Sequence, residues 1–253
     1  YFDLYLNVNS YFYTLLISIT PLISFLFKKK DTKIDIYSKI ITVILGYITL
    51  PILISFPYFF SIYNIPFLDS YFEAVSGFTS TGFTIFNNIK HLDESLILWR
   101  SSSQWIGGLY FLFSIILLID IFDDNLKKTL TNFLAFNSAE IFKQSLKIFI
   151  IYSLFTLIIF ITLNIFDFRS FISLNLSMSI ISSGGFLPVN SLDTLLNTQT
   201  KIIVFSTLML TSFFSLFFFY NLLYKKKGIK FIQEDIYLII YLLIIIFFFF
   251  LLT

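Results

Sequence analysis

Six runs of mostly apolar residues, each close to the length that crosses a bilayer, constrain this chain more than any other feature. They occupy residues 11–27, 37–60, 95–120, 147–164, 199–224 and 235–253. At about 1.5 Å of rise per residue, a helix needs roughly 20 such residues to cross a hydrocarbon core about 30 Å thick. Ile, Leu and Phe follow one another here without the alternating segments of about 10 residues that mark a transmembrane β-strand. The runs therefore read as helices, which satisfy their own backbone hydrogen bonds in lipid. Composition closes the other routes. The chain is 57% hydrophobic and only 13% charged, with a mean hydropathy of +0.88. Soluble domains are about 45–50% apolar and about 25% charged, and disordered chains are biased the opposite way. The expectation is an all-α integral membrane protein. Without cysteine, disulfide frameworks and thiolate metal sites are excluded. A single histidine, His91, excludes multi-histidine metal sites and argues against a histidine-based triad. A net charge of +2 does not point to nucleic acid.

The cations fix an orientation. Lys28, Lys29, Lys30, Lys33 and Lys39 lie between spans one and two. Lys127, Lys128, Lys143 and Lys147 lie between spans three and four, and Lys225, Lys226, Lys227 and Lys230 between spans five and six. These are thirteen of the 17 Lys and Arg; the other two loops and their flanks hold Lys90, Arg100, Arg169 and Lys201. Basic loops stay in the cytoplasm, so span one runs inward and the rest alternate. The sequence begins at Tyr1 and ends at Thr253 inside an apolar run, which reads as a fragment of a longer protein. No basic stretch with a small-residue cleavage site opens it, so no signal peptide is expected.

The two outer loops, 61–94 and 165–198, contain an internal repeat. Sliding one over the other by 103 positions brings Ser76 onto Ser179, Thr79 onto Ser182, Ser80 onto Ser183, Gly82 onto Gly185 and Phe83 onto Phe186. Each loop lies between an outgoing and an incoming span, so the unit helix, re-entrant loop, helix occurs twice, as repeats do in transport proteins. Four of the eight glycines (Gly77, Gly82, Gly184 and Gly185) fall in these loops. A short helix of about 12 residues reaches only part-way across a bilayer. An extended return rich in hydroxyls and glycine then exposes successive carbonyls, near a helix C-terminus of partial negative charge. Both features favour a cation, and rings of backbone carbonyls form potassium filters. A pair of hydroxyl-rich surface turns is the plainer alternative.

Asp69 to Thr84, followed by Leu98-Trp-Arg-Ser-Ser-Ser-Gln-Trp-Ile-Gly-Gly108, resembles the first pore unit of the Trk/Ktr/HKT potassium transporters, above all the TrkH-type membrane subunit. That family shows a Phe-Glu-Ala-Val-Ser-Gly-Phe-Thr-Thr-Thr-Gly run, then Trp-Arg-Ser and Gln-Trp-Gly-Gly. Ser182 to Phe186 resembles the second loop more loosely, and Gln233-Glu234-Asp235 the acidic start of a third unit. Ser80 and Ser182 stand where threonine is common, and Leu187-Pro188 is less typical. The resemblance implies four helix–loop–helix units around one pore, of which this chain holds about half. The implied layout is a leading helix and cytoplasmic loop (1–36), pore unit one (37–120), a cytoplasmic linker (121–146), pore unit two (147–224) and the opening of unit three (225–253). That makes six transmembrane helices plus two re-entrant pore helices.

By the same resemblance, Thr79, Ser80, Thr81, Gly82 and Phe83 line one filter quadrant, and Ser182, Ser183, Gly184, Gly185 and Phe186 the next, with K⁺ nearest Gly82 and Gly185. No covalent chemistry is needed, so an enzyme is not expected, nor any cofactor beyond the transported ion. The implied activity is K⁺ uptake driven by the membrane potential, with or without coupling to H⁺ or Na⁺. The implied setting is the bacterial inner membrane, as a homodimer of full-length subunits with a TrkA-like cytoplasmic nucleotide-binding partner and the filter loops facing outside. Alternatives are a sodium-selective or unselective monovalent cation channel of the same architecture, or a non-transporting membrane scaffold or enzyme subunit. Among supporting residues, Asp69 and Glu73 read either as an acidic mouth or as helix-terminal charges. Arg100, an intramembrane charge, reads as snorkelling or pairing with Glu73 or Glu94. Trp99 and Trp105 read as interface anchors or packing, Gly107 and Gly108 as close helix contacts, and His91 as a solvated loop residue. The acidic group Asp120, Asp123 and Asp124 reads as a solvated cytoplasmic helix end, and the phenylalanine runs 213–219 and 247–250 as lipid-facing or core packing.

Overall fold

The structure is a computed structural model that describes residues 7–26, 36–118 and 141–213, with Ile240, Tyr241 and Ile244. Among the described residues it is helical, without a strand. The α-helices in chain order are α1 (Val8–Leu26), α2 (Ile36–Phe59), α3 (Phe67–Phe78), α4 (Glu94–Leu118), α5 (Ile141–Ile165), α6 (Ser170–Ile181) and α7 (Gln199–Phe213). Helices α2 and α4 and the Ser145–Ile165 part of α5 are long and apolar enough to cross a membrane. The spans expected at 11–27 and 199–224 coincide with α1 and, as far as Phe213, with α7. The sixth span, apart from three residues, lies outside the described residues, as do Asp120, Asp123, Asp124, Gln233, Glu234, Asp235 and nearly all of both phenylalanine runs.

Several hydroxyls inside these apolar helices are satisfied locally. Thr14, Thr42, Thr49, Ser114, Thr156 and Thr162 each donate to the carbonyl four residues back at 2.7–2.8 Å. This hides a hydroxyl from lipid without a partner helix. Pro51 and Pro57 each remove a backbone donor from α2, which membrane helices tolerate where neighbours surround the break. Pro51 and Pro57 are both buried.

Helix α4 is the common post. It packs against α2, α3, α5 and α6. On one side Leu96 joins Ile54, Tyr58, Ala74 and Phe78 in a buried cluster; on the other Leu109 and Ile116 join Ile148, Ile151 and Tyr152. Helix α6 sits between α4 and the pair α5–α7, with Leu176 and Ile180 buried among Ile159, Leu163, Phe205 and Leu208. The outward faces of α1, α2 and α5 stay apolar and exposed, for example at Phe12, Ile41, Leu45, Leu157 and Ile161.

Candidate functional site

Helices α3 and α6 are 12 residues each, and their ends lie 103 positions apart, the spacing read from the sequence. At 1.5 Å per residue each is about 18 Å long, too short to cross a bilayer. Both end in the same way. Thr79 (φ −88°, ψ 3°) and Ser182 (φ −87°, ψ 0°) close the last turn. Ser80 and Ser183 then take left-handed angles, φ 55° and 54°. Ser80 N–H donates to Gly77 O and Thr81 N–H to Ser76 O; Ser183 N–H donates to Ile180 O and Gly184 N–H to Ser179 O, all within 2.7–3.0 Å. This double bond pattern is the Schellman ending of a helix, which usually carries glycine at the left-handed position. Serine stands there in both copies. The repeat extends further than the loop motif. Asn64 and Asp167, also 103 apart, share left-handed angles before each short helix. The 3₁₀ turns Ile89–His91 and Leu192–Thr194 keep the same spacing.

The chains then run out from the helix ends and meet. Gly82 has φ +80°, and a Cβ built on it would lie 2.6 Å from Gly185 Cα; one built on Gly185 would lie 3.0 Å from Gly82 Cα. No side chain fits between the two backbones. A cavity of about 150 Å³ opens beside them, lined by Gly82, Thr84, Arg100, Gly185 and Phe186 among others. The ten loop residues singled out from the sequence thus follow two like helix endings and meet at their glycines, of which Gly82 alone has a positive φ, and their surroundings differ as well. Thr79, Thr81 and Phe83 are exposed, Phe83 by 68%, whereas Phe186 is 1% exposed. Thr79 and Thr81 share a hydroxyl–hydroxyl bond of 2.7 Å, while Ser182 is turned back onto Met178 O and Ser179 O. Phe83 O accepts from Ser76 Oγ at 2.6 Å, which turns that carbonyl toward α3.

Behind the first loop lies a buried ion pair. Arg100 Nε meets Glu73 Oε1 at 2.8 Å, with the side chains 1% and 0% exposed. Glu73 also accepts from Thr84 Oγ1 at 3.0 Å and from the Ile85 N–H at 2.9 Å. Arg100 Nη2 donates to Thr84 Oγ1, and Nη1 reaches Leu187 O of the second loop at 3.4 Å. The guanidinium lies 4.3 Å from the Phe186 ring centroid, an arrangement in which the ring face attracts the cation. Glu73 is therefore neither a mouth residue nor a helix cap: burial and its partner make it a clamp. Asp69 stays exposed in the first turn of α3, where its charge suits the helix dipole, and caps nothing with its side chain. Glu94 pairs instead with Arg169 at 3.0 Å on the surface. Trp99 and Trp105 are packing residues, bonded to Ile54 O and Thr156 Oγ1. His91 is exposed.

One residue at the site was not singled out from the sequence. Gln104 on α4 is fully buried, and with its amide oxygen toward the second loop it accepts from the N–H of Gly185 and of Phe186, both at 2.9 Å. Its amide nitrogen then donates to Ser179 Oγ at 2.9 Å. Its place in the Gln-Trp run beside Gly107 was the signal available. No group of three or more metal-ligating side chains occurs among the described residues.

No family model matches the chain. It is 40% identical over 52 residues to a cation transporter of uncharacterised role from Methanocaldococcus jannaschii, covering 21% of this chain and 11% of that protein. It is 31% identical over 83 residues to the Trk system potassium uptake protein TrkG of Escherichia coli, covering 32% and 17%. It is 35% identical over 65 residues to the Trk system potassium uptake protein TrkI of Halomonas elongata, covering 26% and 13%. In fold it is similar to the crystal structure of the potassium transporter TrkH from Vibrio parahaemolyticus, with a TM-score of 0.62 at 17% identity, over 86% of this chain and 50% of that one. The chain thus spans about half the length of the solved structure, and its sequence matches cover less than a fifth of each relative. Over these stretches of sequence and through most of its fold, this membrane protein, helical among its described residues, resembles the Trk-type potassium transporters.

Proposed function

We propose that the chain forms two quadrants of a carbonyl-lined filter through which potassium enters the cell. The observation that carries this reading is the contact of Gly82 with Gly185 at the ends of two short, matched helices. The relatives' names, all of cation or potassium transporters, agree with it. Thr79 to Phe83 and Ser182 to Phe186 line the filter, Gly82 and Gly185 lying closest to the ion and the Phe83 carbonyl held back onto α3. The carbonyls of Ser76, Gly77, Ser179 and Ile180, near the ends of α3 and α6, are already bonded to loop N–H groups, and the loops' own carbonyls serve as the ligands. Glu73 and Arg100 hold the first loop in place. Six spans and two re-entrant helices then make up units one (37–120) and two (147–224), the leading helix (1–36), the linker (121–146) and the start of unit three (225–253). Two further quadrants complete the filter. The loops face outward across the bacterial inner membrane, and the intact subunit dimerises and docks a TrkA-like cytoplasmic ring. The membrane potential, worth about 2.3 kcal/mol per charge per 100 mV, drives entry without covalent chemistry, with or without H⁺ or Na⁺ coupling.

Uptake of Rb⁺, as a potassium tracer, by an uptake-deficient bacterium expressing the intact protein tests this. Gly82→Val is expected to abolish uptake with the protein still in the membrane. Native-level uptake by that variant rejects the filter assignment, and equal Na⁺ and Rb⁺ uptake by the native protein favours an unselective channel.

A further inference from the structure

The two loops leave their helices by the same Schellman turn but do not share one means of support. The first is held from its own unit: Ser76 Oγ donates to Phe83 O, and Glu73 on α3 accepts from Thr84 and Ile85. In the second unit the position 103 residues after Glu73 is Leu176, which has no polar atom to offer. We propose that Gln104, from the first unit's helix α4, is the positioning residue of the second loop and sets the ion preference of its quadrant. The proposal rests on the filter reading above and deepens it.

The geometry points to this through the rigidity of the peptide bond. An N–H and the preceding C=O lie in one plane and point in opposite directions. Holding the Gly185 N–H therefore aims the Gly184 carbonyl away from Gln104, and holding the Phe186 N–H aims that of Gly185. Both N–H groups end on the one amide oxygen, at 2.9 Å each. Ser179 Oγ, at the other end of the amide, fixes which way round it stands. The side chain is fully buried, so water cannot substitute for it. The fit is tight as well: a Cβ on Gly184 would collide with the Gln104 amide. Thr207, the counterpart of Gln104 in unit two, is exposed and donates to carbonyls of its own helix. Among the described helices, then, the strut runs one way, from unit one into unit two.

The test is the ratio of Rb⁺ to Na⁺ uptake by the intact protein, measured with its membrane level. Gln104→Met keeps the volume and removes both acceptor positions. Two buried donors left unpaired are expected to lower the ratio roughly tenfold at near-native membrane level. In Gln104→Glu the carboxylate still accepts both N–H groups, and most of the ratio is expected to return. Ser179→Ala, a milder change that releases the amide's other end, is expected to lower the ratio several-fold and carries the test if Gln104→Met does not reach the membrane. A native ratio in Gln104→Met, or in Ser179→Ala, overturns the proposal and makes Gln104 a packing residue. So does an equal fall in Gln104→Met and Gln104→Glu. A native protein that moves neither ion defeats the filter reading itself, and this proposal with it.

Discussion

Arg100 is the largest fully buried side chain among the described residues, and it touches both loops. A buried charge is costly unless paired and hydrogen-bonded. Here the guanidinium has a carboxylate, a hydroxyl, a carbonyl and an aromatic face around it. Breaking such a pair by removing one partner costs roughly 3–5 kcal/mol, whereas replacing both with apolar groups of like volume is often near neutral. Glu73→Gln and Arg100→Met are each expected to lower the thermal stability of the detergent-solubilised intact protein sharply. The double variant is expected to recover much of the loss. Size-exclusion chromatography after heating checks this: a double variant as unstable as the sum of the singles would show that the two charges act independently. The sequence left Arg100 with three readings because its partner lies 27 positions away, on a helix packed side by side with its own. Position within an apolar run told that the charge mattered, but not what faced it.

At the scale of elements, α4 works because it approaches its neighbours closely. A Cβ on Gly107 would run into the carbonyl of Phe78 at the end of α3, and one on Gly108 would meet Tyr152 Oη and Ser182. Between membrane helices lipid supplies no hydrophobic drive, so close backbone packing of small residues carries association. Gly107→Val is expected to push α3 from α4 and cost at least the roughly 1–3 kcal/mol typical of overpacking. Hydrogen exchange of the intact protein should then show faster exchange in residues 67–78 than in 170–181; equal protection of both would mean that α4 does not support α3 in this way. These glycines were legible as contacts from their neighbouring positions in one helix. The offset of 103 read from Ser, Thr and Gly also relates the two short helices to each other, though it marks the boundaries of neither. The serines at left-handed positions were not legible, since their hydroxyls read as ion ligands and local propensity favours glycine there. Gln104 was missed for a related reason: its partners lie in the other unit, and only the packing of α4 against α6 brings them together.

At the scale of the molecule, the two units are joined above the glycines as well as through α4. Asn190 Nδ2 donates to Asn88 Oδ1 at 2.7 Å, and Asn190 Oδ1 accepts from the Ile89 N–H at 2.8 Å. These residues lie 102 positions apart, so their contact depends on the two loops facing each other. The sequence placed both loops on one side of the membrane through the lysine pattern, but no spacing rule says that they touch. No cysteine occurs in these 253 residues, so an introduced pair is the only one within them. In a variant carrying Asn88→Cys and Asn190→Cys, a short bis-methanethiosulfonate crosslinker, which joins thiols through reducible disulfides, is expected to bridge the loops in native membranes. A protease site inserted between residues 121 and 140 then separates the two halves unless they are bridged. On a denaturing gel the halves should stay together after crosslinking and part on reduction, and each single-cysteine variant should part under both conditions. Halves that separate despite complete labelling of both cysteines would place the loops too far apart for Gly82 and Gly185 to share one ion path.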